Sequence, residues 1–152
     1  MSKTGNIPEL KKTISKLLSS QKLAVLSSYG NKQPYASLVA FAATEDLKHI
    51  IFATTRATRK YENISSEPKV ALLIDNRSNE EKDFSHAAAA TVLGKAEEVS
   101  GSERTSLLEM YLTKHPHLKE FVSSPSCALL KVRVKKYYVV QRFQNVQELH
   151  IR

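Results

Sequence analysis

The chain contains no tryptophan, one cysteine and only four glycines among its 152 residues. The lone Cys127 excludes an internal disulfide and any cysteine-based zinc site. No apolar run approaches the roughly 20 residues that a membrane-spanning helix requires. The opening residues, MSKTGNIPELKK, lack the apolar core of an export signal. These absences lead to the expectation of a cytoplasmic protein with no membrane segment. What is present is ordinary globular material. Charged residues make up 25% and hydrophobic residues 41% of the chain, which excludes disorder as the main state. The length fits one domain over residues 1–152 with enough chain for a real core.

The formal net charge of +8 invites an anionic partner. Its distribution narrows that reading. Residues 1–44 hold six lysines and one glutamate, and residues 131–152 hold six basic residues and Glu148. The basic excess therefore lies at the two ends. The middle, 45–130, has eleven basic against thirteen acidic residues, yet it contains one local cluster, Arg56, Arg59 and Lys60.

Asn6 precedes apolar residues at helical spacing, Ile7, Leu10, Ile14, Leu17 and Leu18, with Glu9 three residues on. This predicts a capped helix within an N-terminal segment, 1–22. Strands are predicted at Leu23–Tyr29, Tyr35–Ala43 and His49–Thr54, with turns at Gly30-Asn31 and Glu45-Asp46. A short helix, Thr58–Ser66, is capped by Thr58 and stopped before Pro68. Lys69–Asp75 is a strand and Asn76–Phe84 a loop. Thr91–Val99 is a strand, and Ala87–Ala90 before it is ambiguous because alanine favours helix. Ser100–Lys114 reads as a helix with Ser100 and Glu103 as a capping box. After a break at His115-Pro116 come two further strands, Cys127–Val134 and Lys136–Phe143. The barrel and its helices thus occupy 23–152. So many strands in so short a chain favour a small antiparallel barrel with outer helices, since closure removes exposed edges.

The segment Phe52-Ala-Thr-Thr-Arg-Ala-Thr-Arg-Lys60 concentrates the chemistry. A strand ends and a helix begins there. Thr54, Thr55 and Thr58 bring hydroxyls, while Arg56, Arg59 and Lys60 bring charge. The helix start adds unpaired N–H groups and the positive end of a dipole. Together these suit a phosphate dianion. The segment has no glycine, so it is neither a Walker loop nor a dinucleotide fingerprint. The plainer reading is a polar turn with solvated arginines.

FATTRATRKYENISSEPKVALLID resembles the flavin-binding core of the pyridoxamine 5'-phosphate oxidase-like proteins, the FMN-binding split barrels. Pro34–Val39, Val92–Glu97 and the tail Glu148-Leu-His-Ile-Arg152 are similar to further motifs of that family. The resemblance implies a mainly β fold with flanking helices, a six- or seven-stranded antiparallel split barrel. It implies that Thr54, Thr58, Arg59 and Lys60 hold the FMN phosphate, with Thr55 beside them. Arg56 would lie close to the phosphate or face a partner subunit. Ser37, Val39 and Ala40 would flank the isoalloxazine ring, largely through backbone groups. Asn76 would contact the ring or ribityl chain, and Arg152 would approach from the C-terminal end. The family's homodimers place the cofactor at the interface, so both chains would contribute.

The resemblance fails where the oxidase binds its substrate's phosphate. Glu148 stands at an arginine position, uncharged Ala42 at a lysine, and His115 at another basic position; a flavin-touching glutamine falls near Ala89. Of the substrate-side pattern, Tyr111 and His150 remain. The expectation is a flavin-dependent oxidoreductase of unknown substrate that does not oxidise pyridoxamine phosphate efficiently. F420 and haem are the alternative ligands. A non-catalytic flavin binder, or a polyanion binder using the basic termini, is the alternative function, although nucleic acid is not the expected partner. His86, His115 and His117 are candidate ligands only in isolation, and no metal site is predicted. Cys127 opens an apolar strand and is read as core.

Overall fold

The computed structural model describes residues 6–142 and 145–152. The first five residues of the expected N-terminal segment, and Phe143 at the end of the last predicted strand, lie outside them. Helix α1 (Ile7–Ser20) begins where the Asn6 side chain accepts the Glu9 N–H at 3.3 Å. Its stripe of Leu10, Ile14, Leu17 and Leu18 is buried against the strands, as the spacing requires.

Seven antiparallel strands follow: β1 (Leu23–Gly30), β2 (Gln33–Ala43), β3 (His49–Thr55), β4 (Lys69–Asp75), β5 (Ala88–Glu98), β6 (Cys127–Gln141) and β7 (Asn145–His150). They run in the order β3-β2-β1-β4-β5-β6, and β3 returns to pair with β6. Six strands thus close a barrel, and β7 extends the sheet along β6. The fold is the antiparallel split barrel with flanking helices that the sequence predicts. Helices α2 (Arg59–Ser66), α3 (Asp83–His86), α4 (Gly101–Lys114) and α5 (Lys119–Ser123) complete it, with a 3-10 turn at Pro116–Leu118. None is long and apolar enough to cross a membrane.

Two apolar clusters hold these parts. Leu26, Phe41, Phe52, Leu72, Val92 and Tyr137 belong to the larger one, which also takes in α1. Ile51, Ala53, Tyr111, Val122 and Leu129 form the second, between the other face of β3 and β6 and the helices α4 and α5. Alternation along β3 separates the two: Phe52 belongs to the first cluster, Ile51 and Ala53 to the second.

Several local expectations are corrected. The ambiguous alanine run resolves as strand from Ala88 onward: Ala88 and Ala90 are buried, and packing in the barrel overrides alanine's helical preference. The two predicted terminal strands are one continuous β6. Lys135 is the extra residue of a bulge, since Leu93 faces Lys136 while Gly94 faces Val134. Ser100 precedes α4 but makes no side-chain cap, and Glu103 turns instead to the Lys131 ammonium at 2.6 Å. Glu148–His150 of the tail motif lie in β7, and Ile151 and Arg152 follow it.

The barrel is open along one seam. β2 pairs with β3 only through Phe41–Ala43 against Ile50–Phe52. From Gln33 to Ala40 it has β1 on one edge and, among the described residues, no strand on the other.

Candidate functional site

The start of α2 reaches the open edge of β2 through Arg59, which lies over Tyr35. Beyond Thr55 the chain turns into α2, where Thr58 is the cap and accepts the Tyr61 N–H at 3.3 Å. The Thr58 hydroxyl donates to the Thr55 carbonyl at 2.9 Å and lies 3.0 Å from the Thr54 hydroxyl. Thr54 is only 2% exposed. The threonines therefore shape the turn from within, and the first-turn N–H groups of Arg59 and Lys60 have no intrahelical partner. Arg59 reaches toward β2, with its guanidinium carbon 5.6 Å from the centre of the Tyr35 ring. Neither Arg59 nor Lys60 is ion-paired among the described residues.

Arg56 is placed differently. Its guanidinium donates to Glu98 at 2.5 Å and to the Pro125 carbonyl at 2.8 Å, while its backbone N–H donates to Ser126. Tyr61 donates its hydroxyl to the other Glu98 oxygen at 2.5 Å. The Arg56 bond, reinforced by that of Tyr61, holds the Glu98 carboxyl below its ordinary pKa. Arg56 thus braces the turn against β5 and β6, and the uncommitted cations of the cluster are Arg59 and Lys60.

Ser37, Val39 and Ala40 lie on the open stretch of β2. Val39 is buried in the barrel core, and the Ala40 carbonyl accepts the Tyr111 hydroxyl at 3.0 Å. The Ser37 hydroxyl oxygen is buried without a hydrogen-bond partner, alone in this among the described residues. A buried hydroxyl with no partner costs roughly 1–3 kcal/mol, so a group bound at the seam would relieve it.

The remaining predicted residues lie elsewhere. Asn76, past the end of β4, accepts the Ala88 N–H at 2.8 Å and anchors β5. Arg152 shares a hollow with Ile7, Lys11, Asp46 and Lys48, at the start of β3. The cluster is at the other end of that strand, about 20 Å away at ~3.3 Å per residue. One chain therefore does not bring Arg152 to Arg59. Tyr111 is buried, and burial pushes its phenol up to about 12. His150 is exposed, 3.8 Å from Glu148, which also lies 3.9 Å from Lys136. His115 is 1% exposed, with Nε2 at 2.7 Å from the Phe41 carbonyl, and burial lowers its pKa. His86 is exposed, with Nδ1 beside the Lys82 carbonyl and the Ser85 hydroxyl. Among the described residues no group of three or more His, Cys, Asp or Glu side chains could hold a metal ion.

Nothing in the residues around Arg56 points to Glu98, its partner, or to Tyr61, which binds the same carboxylate. They are 42 and 5 residues away along the chain, and only closure of the barrel brings β5 to this turn.

The pyridoxamine 5'-phosphate oxidase sequence profile matches residues 10–141. The chain belongs to this family. A Schizosaccharomyces pombe protein described as a pyridoxamine 5'-phosphate oxidase homolog is 26% identical over 182 aligned positions, covering 99% of this chain and 96% of that one. Among solved structures, a heme binding protein from Mycobacterium smegmatis superposes with a TM-score of 0.84 at 16% identity, over 96% of this chain and 60% of its own. A FAD-binding protein from Mesorhizobium loti superposes at 0.68 with 14% identity, over 84% and 90% of the two chains. At such identities the likeness is one of fold. Within the family's fold, the profile match takes in β1 to β6, and so both sides of the seam.

Proposed function

We propose that this protein binds FMN in the seam between β2 and α2, as a homodimer, and acts as a flavin-dependent oxidoreductase. The observation that carries the reading is the juxtaposition of the unpaired β2 edge, with its orphaned Ser37 hydroxyl, and the cation-bearing start of α2. Arg59 and Lys60 with their N–H groups hold the phosphate. The Ser37 hydroxyl and the β2 backbone accept and donate hydrogen bonds along the ring edge. When bound, FMN supplies the electron-transfer chemistry, and the chain supplies position and electrostatics. Haem fits less well, because His115 is sealed in the core and His86 is turned to its own helix.

The dimer rests on two observations. Leu38, Val25 and Leu73 are direct cross-strand neighbours on the outer face of β2, β1 and β4, and Leu38 and Leu73 are 66% and 36% exposed. Leu23, 55% exposed, extends the patch. An apolar face of this kind, continuous with the seam, suits a second copy of the chain. A partner on that face also resolves the distance between Arg152 and the cluster, since Arg152 of one chain can serve the seam of the other.

Pyridoxamine phosphate is not the preferred substrate. Ala42 is buried and uncharged, Glu148 is acidic, and burial lowers the pKa of His115. Charge-assisted bonds worth about 1.5–3 kcal/mol each are thus missing from the substrate side.

The test is the identity of the ligand that copurifies, read by mass spectrometry, together with affinities for FMN and riboflavin. Replacing Arg59 and Lys60 by alanine weakens FMN much more than riboflavin. Colourless protein that takes up no FMN, or equal losses for both ligands, overturns the reading.

A further inference from the structure

A second concentration of positive charge lies on the outer wall of the barrel, away from the seam. Lys69 of β4 stands directly opposite Lys95 of β5, and Lys95 directly opposite Arg133 of β6. On the far side of Arg133 the next cross-strand neighbour is His49 of β3. Direct cross-strand partners share a face, at about 4.8 Å from strand to strand. Two lysines and an arginine therefore stand in one row across three strands. Like charges placed directly opposite destabilise a sheet.

The neighbouring row shows what a balanced arrangement looks like. There Glu97 faces Lys131, which is also paired to Glu103 at 2.6 Å. The row of Lys69, Lys95 and Arg133 has no such balance. Among the described residues its one ion pair is Arg133 with Glu97 at 3.6 Å, and Glu97 is shared with Lys131. Glu67 is nearby but accepts the Lys69 backbone N–H.

The bulge adds a fourth cation. Lys135 is the residue inserted opposite the Leu93–Gly94 step, and it borders a hollow with Lys69, Leu93, Lys95 and Arg133. Gly94 is required at its floor, since a Cβ there would lie 2.4 Å from the Arg133 carbonyl oxygen. The strand geometry thus creates a depression lined by four basic residues together with Val70, Leu93 and Val134, and all four basic residues are exposed to solvent.

We infer that this hollow is an anion site for a run of linked phosphates, an oligophosphate lying across Lys69, Lys95 and Arg133 with Lys135 at its end. A single small anion satisfies one or two of these cations, whereas a chain of phosphates spans the row and removes the repulsion along it. The source is either the phosphate chain of a nucleotide or a free inorganic oligophosphate. The site is independent of the flavin reading, because it shares no residue with the seam.

The probe is tripolyphosphate, titrated calorimetrically into the full chain at low salt, with ATP in a parallel series. Wild-type protein binds tripolyphosphate saturably. The Lys95→Gln, Arg133→Gln double variant binds at least tenfold more weakly, and the Arg59→Ala, Lys60→Ala variant binds within twofold of wild type. ATP bound more tightly than tripolyphosphate identifies a nucleotide site; equal affinities identify the phosphate chain alone. A melting temperature in the glutamine variant at or above that of wild type shows that it folds and that the row is repulsive when empty. The inference is overturned by the absence of saturable binding to wild type, by unchanged affinity in the glutamine variant, or by loss in the Arg59, Lys60 variant instead. It is also overturned if single-stranded DNA binds this row and tripolyphosphate does not.

Discussion

The Arg56 guanidinium is committed to Glu98 at 2.5 Å, so a residue in the middle of the Thr54–Lys60 segment serves as a brace for the turn. Substitution should report that role. Arg56→Ala loosens the start of α2 against β5 and β6 and weakens FMN and riboflavin by the same factor, within about twofold. Arg59→Ala separates the two ligands. Titrating both flavins into both variants decides it; a selective loss of FMN in Arg56→Ala would make Arg56 a phosphate ligand.

The same pair has an acid limb. The Glu98 carboxyl is held below its usual pKa, chiefly by Arg56. The unfolded chain therefore takes up this proton at a higher pH than the folded one. The stabilisation from Glu98 is complete above the ordinary carboxylate pKa and is lost as pH falls through the lowered folded value. Glu98→Gln should flatten part of the acid limb of a urea-midpoint profile, and it leaves the profile near neutral pH with an unchanged slope.

Lys114 gives the opposite limb. Its ammonium is half-buried, donates to the Leu18 carbonyl at 2.7 Å and lies 3.9 Å from the centre of the Phe41 ring. Burial lowers its pKa from 10.5 to about 8. Above pH 8 the folded chain has released this proton while the unfolded chain retains it up to 10.5, so raising the pH favours folding across that window. Urea midpoints should rise between pH 7.5 and 9.5 in wild type, and the rise should shrink in Lys114→Met.

These effects mark the limit of what sequence reading reaches. Thr58 as a cap and Pro68 as a stop are local rules, and α2 obeys them. The strands β1 to β4 follow from alternation and turn residues. What local pattern leaves ambiguous or misplaces lies where distant chain decides. Ala88 and Ala90 become strand because the barrel interior needs small buried residues there. Glu103 abandons its cap because β6 brings Lys131 beside it. Lys135 looked like a break between two strands, and it is the bulge that keeps one strand in register on both sides. At the candidate site, the residue types around Thr54–Lys60 were legible. Which cations are free and which are braced was not, because Glu98 and Pro125 are distant in sequence.

Gly94 tests the bulge directly. A Cβ at this position would meet the Arg133 carbonyl oxygen at 2.4 Å and a Val132 methyl at 2.8 Å, both in β6. A backbone oxygen cannot step aside without opening the β5–β6 ladder. Gly94→Ala should therefore destabilise the chain by about 1–3 kcal/mol, measured by urea unfolding. Gly101→Ala is a useful contrast, since nothing lies within 4 Å there and only the positive φ of +61° opposes the change.

Ser37 gives the sharpest test, because its two effects have opposite signs. Its hydroxyl oxygen is buried with no partner, so it contributes nothing to the stability of the ligand-free chain and bears a desolvation cost. Ser37→Ala removes that cost and leaves the urea midpoint of the ligand-free protein unchanged or higher. If the seam holds flavin, the same hydroxyl gains its partner only in the loaded state. Ser37→Ala should then weaken FMN several-fold, in line with the loss of one hydrogen bond of about 0.5–1.5 kcal/mol. Riboflavin should weaken by the same factor, because in the proposed arrangement β2 meets the ring and the phosphate sits at α2. A lower midpoint in the ligand-free variant with unchanged flavin affinity would place the hydroxyl in the structural framework and leave the β2 edge without a role in binding.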